Sequence, residues 1–377
     1  MRSMATDRRT FLIGAGAFAL AWGARPAGAD SGAEELPRYI SAAATLNGRQ
    51  VMVALSEDGE ALYDLDLADR GHGLARRPGT TEAMCFGRRP GAYVQVFDLA
   101  TGDPLTVIEP QDKTRHFSGH GVFSPDGRYL LLTENDMAAR RGLIGVHDAA
   151  AGYARVREFP TGGIGPHDLR LLADGKTLVV ANGGLDQRHD DMTAAEYADI
   201  RSDLAYLDWQ SGALVDQIRL DPELARVSIR HLAITADGSV AAALQDSAEV
   251  PDLDWPLGFL HRPGEKLRWL ATPAGGWGRF RGYCGSAAVD LAGGLVAMSS
   301  PRGNCVALWD AATGAAAGIA AVHDGCGLAA EAESGRLLVS SGAGDLLTVL
   351  PGADAAEPYG AEAPSGYRFD NHLLRIA

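Results

Sequence analysis

Short apolar runs of strand length, each cut off by Gly, Asp or Pro, dominate this chain. Arg128-Tyr-Leu-Leu-Leu-Thr133, Lys176-Thr-Leu-Val-Val-Ala181, Leu295-Val-Ala-Met-Ser299 and Arg336-Leu-Leu-Val-Ser340 each follow a D-G, G-G or S-G pair, the chemistry that joins two strands in a hairpin. A third run often follows and ends in a D-x-x-[TS]-G turn, as in Val96-Phe-Asp-Leu-Ala-Thr-Gly102, Leu207-Asp-Trp-Gln-Ser-Gly212 and Leu308-Trp-Asp-Ala-Ala-Thr-Gly314. A fourth run then appears, such as Leu105-Thr-Val-Ile108 or Leu214-Val-Asp-Gln-Ile218. Four antiparallel strands per repeat is the size of a propeller blade.

The pattern repeats seven times, with innermost strands expected to begin near Tyr39, His72, Gly119, His167, Arg230, Cys284 and Cys326. The spacing of roughly 33 to 63 residues brackets the ~40–50 of a blade. We therefore expect an all-β chain forming a single seven-bladed β-propeller of the WD40/YVTN-like kind, rather than a β-sandwich pair or a β-helix. The longest interval is in blade 4, where Met192-Thr-Ala-Ala-Glu-Tyr-Ala-Asp-Ile200 predicts a short helical insertion capped by Thr193. Asp246 to Pro256, with its Pro and acidic residues, reads as a loop. His372-Leu-Leu-Arg-Ile376 is one strand more and is expected to close the ring on the first or last blade, which removes open sheet edges.

The first 29 residues read as an address. Arg8-Arg9-Thr10-Phe11-Leu12 is a twin-arginine signature, followed by an apolar stretch from Ile13 to Gly23 and by Ala27-Gly28-Ala29, a cleavage pattern. That stretch is too short to span a bilayer core of ~30 Å. The expected organisation is a twin-arginine signal peptide over 1–29 and the propeller over 30–377, exported to the periplasm, with a mature chain that does not span the membrane. Hydrophobic residues make up 46% and charged residues 22% of the whole, enough for a sizeable core. The formal charge is −14. Loss of Arg2, Arg8, Arg9, Arg25 and Asp7 removes a net +3 and gives −17. Nucleic acid is an unsuitable partner for such a surface.

The candidate chemistry lies in the repeats. His72, His120, His167 and His231 open the inner strands of blades 2 to 5, Cys284 and Cys326 stand at about the same place in blades 6 and 7, and His372 opens the closing strand. Inner strands line a propeller's channel, so these side chains should meet there. Imidazole and thiolate are ligands for copper, zinc and iron. His72, His120, His167, His231, His372 and Cys326 are the expected metal ligands, with an iron or copper ion as the cofactor, Asp168 and Asp370 placed to orient rings, and His323 as an outer ligand. Two other readings stay open: imidazoles that only pin strands together, as Gly-His pairs do in WD-type blades, and acid–base catalysis. Cys284 and Cys326 could form a disulfide or remain buried thiols, while Cys85 and Cys305 fall on second- or third-strand core positions. Arg230 and Arg302 could steer an anion. No G-x-S-x-G, P-loop, H-E-x-x-H or CxxC occurs outside the signal, so a serine hydrolase, a nucleotide enzyme or a zinc knuckle has no support.

These segments also resemble a known family, the DUF1513 proteins of proteobacterial periplasms. The resemblance is carried by Arg70-Gly-His-Gly73, Gly87-Arg-Arg-Pro-Gly91, Gly119-His-Gly-Val-Phe-Ser-Pro-Asp-Gly127, Thr133-Glu-Asn135, Gly165-Pro-His-Asp168, Val179-Val-Ala-Asn-Gly-Gly184, Ser228-Ile-Arg-His-Leu232, Ser300-Pro-Arg-Gly-Asn304, Asp324-Gly-Cys-Gly327 and Asp370-Asn-His-Leu373. The chain departs from it between Leu185 and Asp199. The resemblance implies a part in periplasmic iron or copper transport or handling, with imelysin-type iron-binding proteins or di-haem oxidoreductases as partners. A metal-binding propeller is the leading expectation. A non-catalytic interaction platform in an iron-uptake system comes second, and a lactonase- or quinoprotein-like enzyme third.

Overall fold

The computed structural model describes residues 36–185, 201–224, 226–246, 254–360 and 366–376. Seven four-stranded antiparallel sheets make up the fold. Blades 2 to 7 each use four strands consecutive in sequence, and in each the first of the four is the innermost. The inner strands are Gly71–Arg76, Arg115–Phe123, Pro166–Leu171, Val227–Ile234, Ser286–Val289 and Gly325–Ala330.

Blade 1 is different. Its sheet runs from the C-terminal strand Tyr367–Arg375 through Tyr39–Thr45 and Gln50–Leu55 to Ala61–Asp66. The strand at Tyr39 is therefore second in its blade, not innermost as its sequence order suggests. The last strand of the chain takes the inner place and carries His372 into the ring. The anticipated closure is real, and it is made on the first blade.

The D-x-x-[TS]-G turns lie where their chemistry put them, between third and fourth strands. In blade 2, Asp98 accepts the N–H groups of Ala100 and Thr101 through Oδ1, and Gly102, at φ +75°, donates its N–H to the Asp98 carbonyl. Asp208 and Asp310 do the same in blades 4 and 6. Middle strands are buried on both faces and outer strands largely exposed, because each middle strand is sandwiched between two neighbouring blades. Apolar clusters fill the gaps between blades. Ile40, Met52 and Ala54 of blade 1 meet Ala83, Cys85 and Phe97 of blade 2, and Tyr39, Val53 and Leu55 meet Leu338 and Leu346 of blade 7.

The expected helical insertion in blade 4 is not supported. Met192–Ile200 lies outside the described residues, as do residues 1–29, and among the described residues only short 3-10 turns occur. No helix among them is long and apolar enough to cross a membrane.

Candidate metal centre

Each inner strand that carries one of these histidines breaks its ladder at or directly beside it. The pairing with the second strand slips between Gly71 and Leu74, between Phe117 and Gly121, between Pro166 and Asp168, and between Ile229 and His231. The closing strand slips between Phe369 and Leu373. Blade 6 has no histidine there and pairs from Ser286 to Val289 without a shift. A bulge turns a side chain out of the sheet's regular alternation. Five bulges thus aim five imidazoles at one point in the channel.

A bulge also frees backbone groups, which must find partners when buried. Hydroxyls of the second strands supply several. Thr133 donates through Oγ1 to the His120 carbonyl at 3.1 Å, and Ser41 through Oγ to the His372 carbonyl at 2.7 Å. In blade 7, which also slips, Ser299 of the neighbouring blade donates to the Cys326 carbonyl at 2.5 Å. The Thr133 and Ser299 clusters visible in the sequence therefore fasten inner strands.

The glycines beside the histidines have a steric reason. A Cβ at Gly73 would lie 2.4 Å from the Gly119 carbonyl oxygen and 2.9 Å from the His120 ring; one at Gly119, whose φ is +96°, would lie 2.9 Å from the His72 ring. The Gly-His-Gly pattern of blades 2 and 3 lets two imidazoles from adjacent blades lie against each other.

The five rings form one cluster. Centroids are 4.4 Å apart for His72 and His372, 4.7 Å for His120 and His372, 4.8 Å for His72 and His120, 4.8 Å for His167 and His231, and 4.9 Å for His231 and His372. Two triads of ring nitrogens, His72/His120/His167 and His120/His231/His372, each fall within 4.8 Å. His120 Nε2 and His372 Nε2 are 3.1 Å apart. Ligand nitrogens on one ion at ~2.0–2.1 Å sit roughly 3.3 Å apart in a tetrahedral arrangement, so this pair has the spacing of two ligands on one metal.

Burial holds the imidazoles of His120, His167, His231 and His372 well below their ordinary pKa, and the other rings and nearby arginines add to the effect. Neutral imidazole is the form that binds metal. Each neutral ring has one N–H to place, yet His120 Nδ1 and His231 Nδ1 are buried without a hydrogen-bond partner. Nitrogens left this way are costly in a dry interior.

Two nitrogens are fixed by their neighbours. His72 Nδ1 lies 3.3 Å from Asp370 Oδ1, so it carries the proton and leaves the Nε2 lone pair for a ligand, the carboxylate–histidine arrangement of metal sites. Burial disfavours a charged Asp370, but His72 and Arg70 outweigh it and hold its carboxyl below the usual range. Asp370 thus serves His72 rather than the adjacent His372. His167 is the reverse case: its Nδ1 faces Arg230 Nη1 at 3.4 Å. Arginine only donates, so this nitrogen accepts, and Arg230 competes with a metal for it.

The remaining candidates lie elsewhere. Cys326 Sγ lies 3.2 Å from the Asp324 carbonyl, and burial pushes its thiol up to about 12; it lines the same cavity but belongs to neither triad. Asp168 binds Arg170 Nη1 and the Leu232 N–H, joining blades 4 and 5 instead of orienting His167. His323 is exposed. All four cysteines are free and buried, Cys85 and Cys305 on second and third strands as expected.

Above the imidazoles the channel opens into a cavity of about 420 Å³. His72, His167 and His231 line it, with Tyr283, Asn371 and several arginines around them. Tyr283 and Asn371 did not stand out in the sequence. The Asn371 amide donates to the Tyr283 hydroxyl at 2.6 Å and so bridges the closing strand to the segment before blade 6.

Comparison with solved structures finds hydrazine synthase from Kuenenia stuttgartiensis among similar folds, with a TM-score of 0.60 and 15% identity over 88% of this chain and 100% of that one. At that identity the likeness is one of fold. No curated protein matches. The family model described as "Protein of unknown function (DUF1513)" matches residues 65–376, a span that holds all five imidazoles, and this chain belongs to that family.

Proposed function

We propose that this chain is a periplasmic metal-binding propeller that holds a copper or iron ion among the channel histidines and serves metal uptake or handling. One observation carries the reading: four buried imidazoles and the half-buried ring of His372, from five blades, converge, two of their ring nitrogens stand 3.1 Å apart, and two others have no protein partner. An ion would take up lone pairs here and give the group a common centre. An all-imidazole donor set suits copper, iron, zinc or nickel; the family resemblance and the twin-arginine signature favour copper or iron handled outside the cytoplasm. His120, His231 and His372 are the strongest ligands, with His72 braced by Asp370, and His167 the weakest because of Arg230.

Metal analysis of protein purified from its native compartment, and again after reconstitution with Fe and Cu, tests this reading. One or more equivalents per chain is expected. No stoichiometric metal in either preparation would overturn it.

A second reading, a docking platform for imelysin-type or di-haem partners, is favoured by exposed apolar side chains on the outer strands of blades 2, 3 and 4: Leu105, Val107, Val156, Leu214 and Val215. It predicts that Leu105→Lys, Val156→Lys and Val215→Lys together abolish co-elution with the partner and leave metal content unchanged.

A further inference from the structure

The chain is strongly acidic, yet among the described residues the walls of the channel cavity carry Arg70, Arg88, Arg89, Arg230 and Arg302 against a single lining carboxylate, Asp324. The nearby Asp370 is already bound to Arg70 and His72, and the imidazoles of His120 and His231 are held neutral by burial. A divalent or trivalent ion placed among those imidazoles would add positive charge beside the guanidinium groups, and like charges repel. An anion seated between them offsets that repulsion.

The arginines also have a geometry. Arg88 and Arg89 follow the second strand of blade 2, Glu82–Gly87, and Arg302 follows the second strand of blade 6, Leu295–Ser300. These loops are equivalent, so they lie at the same mouth. In a ring of seven, blades 2 and 6 are four steps apart one way and three the other, so the two loops stand on opposite sides of the channel, and both arginines line its cavity. Arg302 lies over the Tyr283 ring, 4.8 Å from its centroid, which fixes its position. Among the described residues neither Arg88 nor Arg302 has a carboxylate within ion-pair distance. A ligand with two or three separated carboxylates can engage both sides at once, since each planar carboxylate matches a guanidinium fork.

We propose that the cavity binds a small di- or tricarboxylate, clamped between Arg88 and Arg302, with one carboxylate oxygen completing the coordination of the histidine-held metal. The volume of about 420 Å³ lies within the range of small-ligand sites. The coordination half of this proposal rests on the metal-binding reading; the arginine clamp does not.

The test is calorimetric titration of tricarballylate into the metal-loaded and the metal-free full chain, with Cu(II) absorption followed in the loaded form. Saturable binding is expected, weakened at least 10-fold by Arg88→Ala with Arg302→Ala and largely restored by the double Lys variant, with metal per chain unaltered. The Cu(II) spectrum should shift on binding. Retained metal with no tricarballylate binding overturns the proposal and leaves the metal reading standing. Arginine-dependent binding to a chain that never holds metal overturns the metal reading and the coordination step but supports the clamp. Binding with an unchanged Cu(II) spectrum overturns the coordination step alone. Orthophosphate binding more tightly than tricarballylate overturns the polycarboxylate class.

Discussion

His261 and His231 lie in the same blade and are equally buried, yet their ring nitrogens meet opposite surroundings. His261, on the third strand, accepts the Tyr206 hydroxyl at Nδ1 (2.8 Å) and donates from Nε2 to the Glu265 carbonyl (3.0 Å). His231, on the inner strand, has an unpartnered Nδ1 and two imidazoles within 5 Å of its centroid. Burial lowers the pKa of both, so neither burial nor protonation separates them. The difference is completeness. His261 finds both partners inside the protein; His231 combines a missing partner with neighbouring imidazoles, and it is that combination, absent at the lone buried His147, that points to something arriving from outside.

The comparison breaks most visibly if the two histidines are removed in turn. His231→Ala combined with His372→Ala should weaken metal binding on the order of 1,000-fold or more while far-UV circular dichroism stays native. His261→Ala should leave metal content alone and lower stability by about 1–3 kcal/mol, read from denaturant unfolding. Swapped outcomes would end the distinction.

A second buried cluster, away from the channel, extends the test. Glu134 is fully buried in blade 3, bound to Arg155 Nη1 at 2.8 Å with His147 Nε2 at 3.7 Å. Arg155→Ala strands that carboxylate and should cost about 3–5 kcal/mol, again without loss of metal. A third test uses pH. Burial pushes the Asp203 carboxyl up to about 6, against the donors of Asn182 and Gln217 and the charge of Arg219. A raised folded pKa means that its contribution is fully present below the ordinary value near 4 and is lost as pH rises through 6. Over that window it amounts to about 3 kcal/mol. Asp203→Asn should flatten this part of the stability profile, measured by unfolding at pH 4, 6 and 8. The smallest effect belongs to Asp370→Asn: a 10- to 100-fold loss of metal affinity, with the site still occupied at saturating metal.

Much of the architecture was legible because local chemistry recurs. Asp98, Asp208 and Asp310 announce their turns within five residues, and the four imidazoles repeat with the inner strands. What was not legible depends on distant pairing. Nothing near Tyr39 says that Arg375 will lie inside it; that placement follows from ring closure, a contact across most of the chain. Cys326 looked equivalent to the histidines by position, but its thiol turns to the Asp324 carbonyl. Asp168 and Asp370 looked like partners of their sequence neighbours, whereas each acts on an adjoining blade. The arginines were in view, two of them read as anion steering, but only the ring brings Arg88 and Arg302 to one opening.

The borrowed inner strand of blade 1 also sets an order of events. Residues 367–375 come after every other strand of the ring in sequence, and until they pair the ring is open and His372 absent from it. A nascent or C-terminally clipped chain therefore offers no finished nest to a passing ion. On the proposed reading, metal capture therefore waits until the ring has latched shut.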